Sequence, residues 1–113
     1  MKSLENDLNL VSLIEEYTYF FIKKQYKSYC RENSMKYIEK KEINSVVENL
    51  LENKFNECKI FILDKLNGEY KLTDNNKSEI DDIFSDIKED NKDVVFKISE
   101  IIDEFQIKRG FYN

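Results

Sequence analysis

The spacing of apolar residues predicts one long helix over residues 43–66, and the rest of the chain is organised around it. Apolar side chains recur there at intervals of three and four, the period of one helix face. They are Ile43, Val47, Leu50, Leu51, Phe55, Cys58, Phe61, Ile62 and Leu66. At about 1.5 Å per residue this helix would be about 36 Å long, enough to cross a small domain. Gly68 follows, where a helix commonly ends in a left-handed residue.

The dipeptide Asn67-Gly68 supports a competing interpretation of the same stretch. It is the strongest two-residue hairpin signal, and residues 59–66 and 69–72 are able to pair across it. We favour the helix, because the apolar set continues in helical phase without a breaker. Ile60 and Leu63 then fall off the main stripe, so they should meet a second layer unless the hairpin forms.

Three further helices are predicted from apolar periodicity and capping signals. The first begins at Ser3 as N-cap, ends near residue 29 or 31, and has an apolar arc wide enough for two neighbours. Thr73 and Asp74 start a third helix that ends near Lys88. Its buried face is Ile80, Ile83, Phe84 and Ile87. A fourth begins at Asp90 or Asn91 and stops at Gly110, with the buried face Val94, Val95, Ile98, Ile101, Ile102 and Phe105.

These elements predict an all-α fold for residues 1–113, a four-helix bundle-like single domain with one long central helix. The second helix starts at Ser34 or in the region of Lys40 and Lys41. Phe55 and Phe105 lie mid-stripe and are expected in the core. An all-β fold is disfavoured, because two glycines and no proline leave few means of making tight turns. The alternative is an α+β fold with a small hairpin around Asn67-Gly68.

Negative charge is concentrated near the third predicted helix. Residues 73–93 carry a formal charge of −5, equal to that of the whole chain. On this helix the acidic side chains project away from the apolar face and continue beyond its end. We call the following set the acidic ridge: Glu79, Asp82, Asp86, Glu89, Asp90 and Asp93. Like charges at helical spacing oppose folding slightly, so the ridge either maintains solubility or binds a partner with a basic surface.

A basic segment, residues 23–41, carries a formal charge of +5 and contains interleaved tyrosines. Basic residues mixed with aromatics are typical of surfaces that bind single-stranded nucleic acid. The candidate residues are Lys23, Lys24, Lys27, Arg31, Tyr19 and Tyr26. The competing interpretation is a solvated helix face followed by a polar turn.

Several chemistries are disfavoured by what the chain lacks. Without histidine there is no Ser-His or Cys-His pair and no Cys/His zinc cluster. With glycine only at 68 and 110 there is no phosphate-binding loop. An EF-hand loop starting at Asp74 fails, because Glu79 stands where glycine is required. Cys30 and Cys58 are expected to be buried free thiols. We therefore expect a protein that is not an enzyme and has no cofactor or metal.

Composition bounds the setting in which the protein acts. Sixteen Lys against two Arg, twelve Asn, thirteen Ile and no Ala indicate an AT-rich gene, as in a low-GC bacterium, a phage or another virus. No apolar stretch is long enough for a membrane span, and the acidic N-terminal region does not resemble a signal peptide. We expect a soluble protein of the cytoplasm, or of the host cytoplasm if the gene is viral, with no membrane partner.

Three hypotheses of function follow. The first is a protein-binding module, such as a stoichiometric inhibitor, immunity or anti-defence protein, whose acidic ridge contacts a basic partner. The second is a nucleic-acid-binding protein that uses residues 23–41. The third is a structural or assembly subunit that self-associates through Phe96 and Ile107, which lie nearly opposite the buried face of the last helix.

Overall fold

The computed structural model describes residues 2–3, 10–32 and 39–108, and this part of the chain is all-α. Its helices are α1 (Leu10–Glu32), α2 (Lys40–Asn53), α3 (Phe55–Glu69), α4 (Asp74–Glu89) and α5 (Lys92–Lys108). Two short strands, β1 (Lys2–Ser3) and β2 (Tyr70–Lys71), form a parallel pair with Lys2 opposite Tyr70. The predicted all-α class is confirmed. Ser3, predicted as the N-cap of the first helix, lies in β1 instead.

The predicted central helix is divided at a single residue, Lys54. Its φ of −116° and ψ of 22° separate α2 from α3. The Lys54 N–H still donates to the Leu50 carbonyl (2.9 Å), and its own carbonyl accepts from the Cys58 N–H (2.9 Å). Neither proline nor glycine causes this break. It coincides with a change of neighbour, because α2 packs on α5 whereas α3 packs on α4.

The helices are arranged in three rows: α2 followed by α3, α5 preceded by α4, and α1 by itself. Lys59 pairs with Asp81 (3.3 Å) and Lys88 lies over Phe55, so α4 runs antiparallel to α3. Lys40 pairs with Glu100, while Glu48 and Lys92 line one pocket, so α5 runs antiparallel to α2. The connection between α4 and α5 therefore lies level with the break at Lys54, where a small cleft opens between them. The third row is α1, which contacts α2, α3 and α5.

The core lies where the three rows meet. Its fully buried large side chains are Ile14, Ile22, Ile43, Val47, Leu51, Ile62, Leu66 and Ile80. The predicted buried faces are confirmed for all four apolar residues of α4 and for Val94, Val95, Ile98 and Ile102 of α5. Ile101 differs, because it is 40% exposed. Phe55 is half-buried and packs beside the core, and the side chain of Phe105 lies outside the described residues.

The helical interpretation of the residues before Asn67-Gly68 is confirmed, but the helix ends later than predicted. Gly68 lies inside α3, which continues to Glu69, so it does not terminate the helix. The hairpin is not formed either, because β2 pairs with β1 rather than with residues 59–66. Leu63 packs against the core as the helix requires, whereas Ile60 is 60% exposed.

The predicted start of α4 is confirmed in detail. The Thr73 hydroxyl accepts from the Asn76 N–H (3.1 Å), and the Asn76 side chain accepts from the Thr73 N–H (3.0 Å). This reciprocal capping box satisfies two backbone donors that a helix start would otherwise leave unpaired. At the next helix, Asp90 Oδ1 accepts from the Lys92 N–H (3.2 Å).

Gly68→Ala should stabilise the protein by about 0.5–1 kcal/mol, because alanine is preferred to glycine inside a helix. A Cβ at Gly68 would meet no heavy atom within 4 Å. The measurement is the free energy of unfolding in urea. A hairpin turn would need a positive φ at this glycine and would make the same change destabilising.

Phe84→Ala should lower the free energy of unfolding by about 3–5 kcal/mol, since it removes a large buried ring. Phe84 is 3% exposed. Phe96→Ala is the matched control, because Phe96 is 59% exposed and its loss should change stability by less than about 0.5 kcal/mol. Equal losses in the two urea titrations would contradict the packing of α4.

Candidate functional site

The acidic ridge forms one continuous row on the outer side of α4. Glu79, Asp82, Asp86 and Glu89 follow one another at intervals of three and four, so they share one helix face. The opposite face of α4 is buried in the core. Asp90 and Asp93 continue the row onto the start of α5. All six ridge residues are exposed, as predicted.

No residue in the described part of the chain neutralises the ridge by an ion pair. Ion pairs between described residues are made by other acidic side chains, among them Glu15, Glu57, Asp81 and Glu100. Within α4 itself, Lys88 directs its ammonium over the ring of Phe55, with Nζ 5.7 Å from the ring centroid. The ridge therefore presents a concentrated negative field to the solvent.

Contacts on the inner side of α4 hold the ridge in position. Phe84 meets Phe55 edge to face, with ring centroids 6.1 Å apart and planes at 90°. Lys59 contacts α4 twice, since its Nζ lies 3.3 Å from Asp81 Oδ1 and 5.7 Å from the Phe84 ring centroid. Edge-to-face rings are favoured over stacked ones, and the ammonium is attracted to the ring face. These contacts leave α4 no free rotation about its axis.

The basic segment is only partly assembled as a surface. Lys24, Lys27 and Arg31 are exposed along α1. Lys23 lies over the half-buried Tyr19, with Nζ 5.6 Å from the ring centroid. Lys40 is engaged by Glu100, which raises the pKa of Lys40. Residues 33–38 lie outside the described part of the chain.

Tyr26 does not lie where the nucleic-acid hypothesis requires it. It is 6% exposed, within the core, and burial raises its pKa well above the ordinary value. A ring that stacks on a base must offer a face to the solvent. The prediction that Tyr26 belongs to a binding surface is therefore corrected. Its α-helical spacing from Ile22 places it on the buried stripe of α1.

Both thiols are held in the protonated form. Burial raises the pKa of Cys58 to about 11, and a hydrogen bond with Thr18 only partly opposes this. Burial also raises the pKa of the half-buried Cys30, against a hydrogen bond with Tyr26. Nucleophilic attack needs the thiolate, so neither environment activates its cysteine.

Two other kinds of site are not found among the described residues. Among these residues, no group of three or more histidine, cysteine, aspartate or glutamate side chains is arranged to hold a metal ion. None of the described helices is long and apolar enough to cross a membrane.

Two exposed apolar features accompany the ridge. Phe96 stands on α5 with the Lys40 ammonium 5.9 Å from its ring centroid, while the side chain of Ile107, its predicted companion at an interface, lies outside the described residues. The second feature is a groove of about 220 Å³ between α1 and α5. Sequence reasoning missed this groove, because Ile101 was assigned to the buried face and the pairing of α1 with α5 is not visible in local patterns.

Thiol labelling should distinguish the two cysteines. Cys30 should react with a disulfide reagent at pH 8 several-fold faster than Cys58, because Cys58 is 2% exposed whereas Cys30 is half-buried. Mass spectrometry of quenched peptides measures both rates in one sample. In denaturing urea the two rates should converge. A faster reaction at Cys58 in the folded protein would contradict its position on the buried face of α3 against α1.

Comparison with known proteins provides no relative. No protein-family model matches the chain, and neither the curated proteins nor the solved structures yield a match.

Proposed function

We propose that this protein is a non-catalytic protein-binding module that docks its acidic ridge onto a basic surface of its partner. Such a module would be a stoichiometric inhibitor, an immunity protein or an anti-defence protein. The observation that carries the proposal is the row of six exposed carboxylates on α4 and the start of α5, none of them ion-paired within the described chain.

The placement of the ridge is unfavourable for folding, which supports a binding role. Asp82 and Asp86 are like charges four residues apart, and such pairs destabilise a helix by a few tenths of a kcal/mol. Glu89 and Asp90 lie at the C-terminal end of α4, where the helix dipole also disfavours negative charge. Acidic residues scattered over the surface would give solubility without this repulsion. A basic partner would relieve it on binding.

The ridge is suited to control how fast a partner arrives. Clustered charge of one sign raises the rate of association with an oppositely charged protein more than it raises affinity. From Glu79 to Glu89 the row spans about 15 Å along the helix, at about 1.5 Å per residue. A stable interface usually buries about 800 Å² on each partner, so neighbouring surface must contribute as well.

The alternative functions receive less support from the described residues. A polyanion would be attracted to residues 23–41, but Tyr26 is buried and Lys40 is paired with Glu100. Catalysis by a cysteine is disfavoured by the raised pKa values of Cys30 and Cys58. The free thiols fit a reducing compartment, so we propose the cytoplasm of the cell, or of the host, as the site of action.

Charge reversal on the ridge tests the proposal. Asp82→Lys with Asp86→Lys should slow association with the partner by about tenfold at low salt and flatten its dependence on ionic strength. The partner is recovered with wild-type protein as bait, identified by mass spectrometry and purified. Association rates are then measured at two ionic strengths.

The control is Glu48→Lys with Glu52→Lys on α2. Both glutamates are exposed, and the pair has the same spacing and the same change in net charge as the ridge pair. If both double variants slow association equally, only net charge matters and the ridge is not the docking surface. If the recovered partner is nucleic acid that salt removes, residues 23–41 become the leading candidate.

A further inference from the structure

The groove between α1 and α5 has an apolar floor and an open top. Val94 and Ile98 form the floor and are 7% and 2% exposed. Tyr19 of α1 and Ile101 of α5 form the walls, and Ile101 is 40% exposed. The lining of α1 begins at Ser12 and that of α5 ends at Ile101, so each side covers about 10 Å, or two helical turns.

The charged side chains at the rim of the groove are three acidic ones, Glu15, Glu16 and Asp93, and two basic ones, Lys97 and Lys23, whose ammonium lies over the Tyr19 ring. Lys97 and Glu15 bridge the two helices as an ion pair at 3.0 Å and so neutralise each other. Glu16 lines the groove and is exposed. Asp93 precedes Lys97 by four residues and Ile101 by eight, so it lies on the same stripe of α5. Neither Glu16 nor Asp93 is ion-paired within the described chain.

The groove is also continuous with the acidic ridge. Asp93 is the last residue of the ridge, and it lies one helical turn before Lys97, which lines the groove. A partner that approaches the ridge therefore reaches the groove without leaving the surface of α5. The exposed Val11, one turn before Glu15 on α1, extends the apolar surface beyond the groove.

We infer that this groove binds an amphipathic helix of the partner, with apolar side chains on one face and lysine or arginine beside them. The inference rests on the proposed function, because it names the segment that the same partner would insert. Two turns of groove match anchors at positions i, i+3 or i+4, and i+7 of a docked helix. The basic flank of the helix would meet Glu16 and Asp93.

Charge complementarity selects this occupant over two others. An acidic helix or a nucleic acid would bring negative charge to Glu16 and Asp93. A second copy of this chain would bring a net charge of −5 toward a surface of the same sign. The ridge and the groove would also affect different rates. The long-range charge of the ridge governs association, whereas apolar side chains buried in the groove govern dissociation.

A designed peptide tests the groove on the whole 113-residue chain. The probe is a fluorescein-labelled helix of roughly 18 residues, about five turns, with leucine at i, i+3, i+4 and i+7 and lysine beside them. Its controls are a scrambled peptide and one in which glutamate replaces every lysine. Fluorescence anisotropy gives the affinities, and stopped flow gives the rates.

Ile101→Gln should weaken binding of the lysine peptide by about tenfold or more, through faster dissociation. Phe96→Gln is the matched control on the same helix, because Phe96 is exposed but does not line the groove. It should leave the affinity within about twofold. The glutamate and scrambled peptides should bind more weakly than the lysine peptide. Urea unfolding of both variants verifies that each is folded.

Several outcomes would overturn the inference: no binding of the lysine peptide, equal effects of Ile101→Gln and Phe96→Gln, or equal affinity for the glutamate peptide. These outcomes leave the proposed function standing if Asp82→Lys with Asp86→Lys still slows association with the recovered partner. Conversely, if the peptide binds in the groove but the ridge variant does not slow association, the ridge is not the docking surface and the groove is still a binding site.

Discussion

The packing of Phe84 against Phe55 determines which way α4 faces, and the candidate surfaces depend on that direction. The two rings meet edge to face, and Lys59 contacts both Asp81 and the Phe84 ring beside them. A helix with one apolar face has a single low-energy rotation once that face is buried. The ridge acids lie on the opposite face by their spacing alone. The stability of the core thus supplies the free energy that holds like charges together in a row.

Local patterns were sufficient where burial follows the helical period. The faces of α4 and most of α5 were predicted from spacing, and the start of α4 was predicted from the capping signal at Thr73 and Asp74. Local patterns failed where burial or helix length depends on which other element packs nearby. Ile101 is in phase with the buried residues of α5, yet α1 does not cover it. Gly68 carries a strong turn signal, but Tyr70–Lys71 pairs with Lys2–Ser3, and α3 continues to Glu69.

The candidate surfaces also differ in whether the sequence alone predicts them. The six ridge acids were identified from charge and period, because an exposed helix face needs no tertiary information. The groove required the knowledge that α1 lies beside α5, joined by the pair Glu15 and Lys97. Tyr26 was assigned by composition to a basic surface, although its position on the α1 stripe places it in the core. The composition of the segment suggested nucleic-acid binding, whereas the helical period correctly places the Tyr26 side chain in the core.

The coincidence of the break at Lys54 with the α4–α5 connection has a consequence for how the chain assembles. Helices α3 and α4 are neighbours in sequence and form a helical hairpin. In the sequence this hairpin lies between α2 and α5, and in space α2 and α5 pack against each other. The α3–α4 hairpin is therefore nested within the segment that joins α2 to α5. Once the inner hairpin has formed, its two ends lie side by side, so bringing α5 to α2 closes only a short effective loop. The entropy of loop closure is then small for a contact that is distant in sequence.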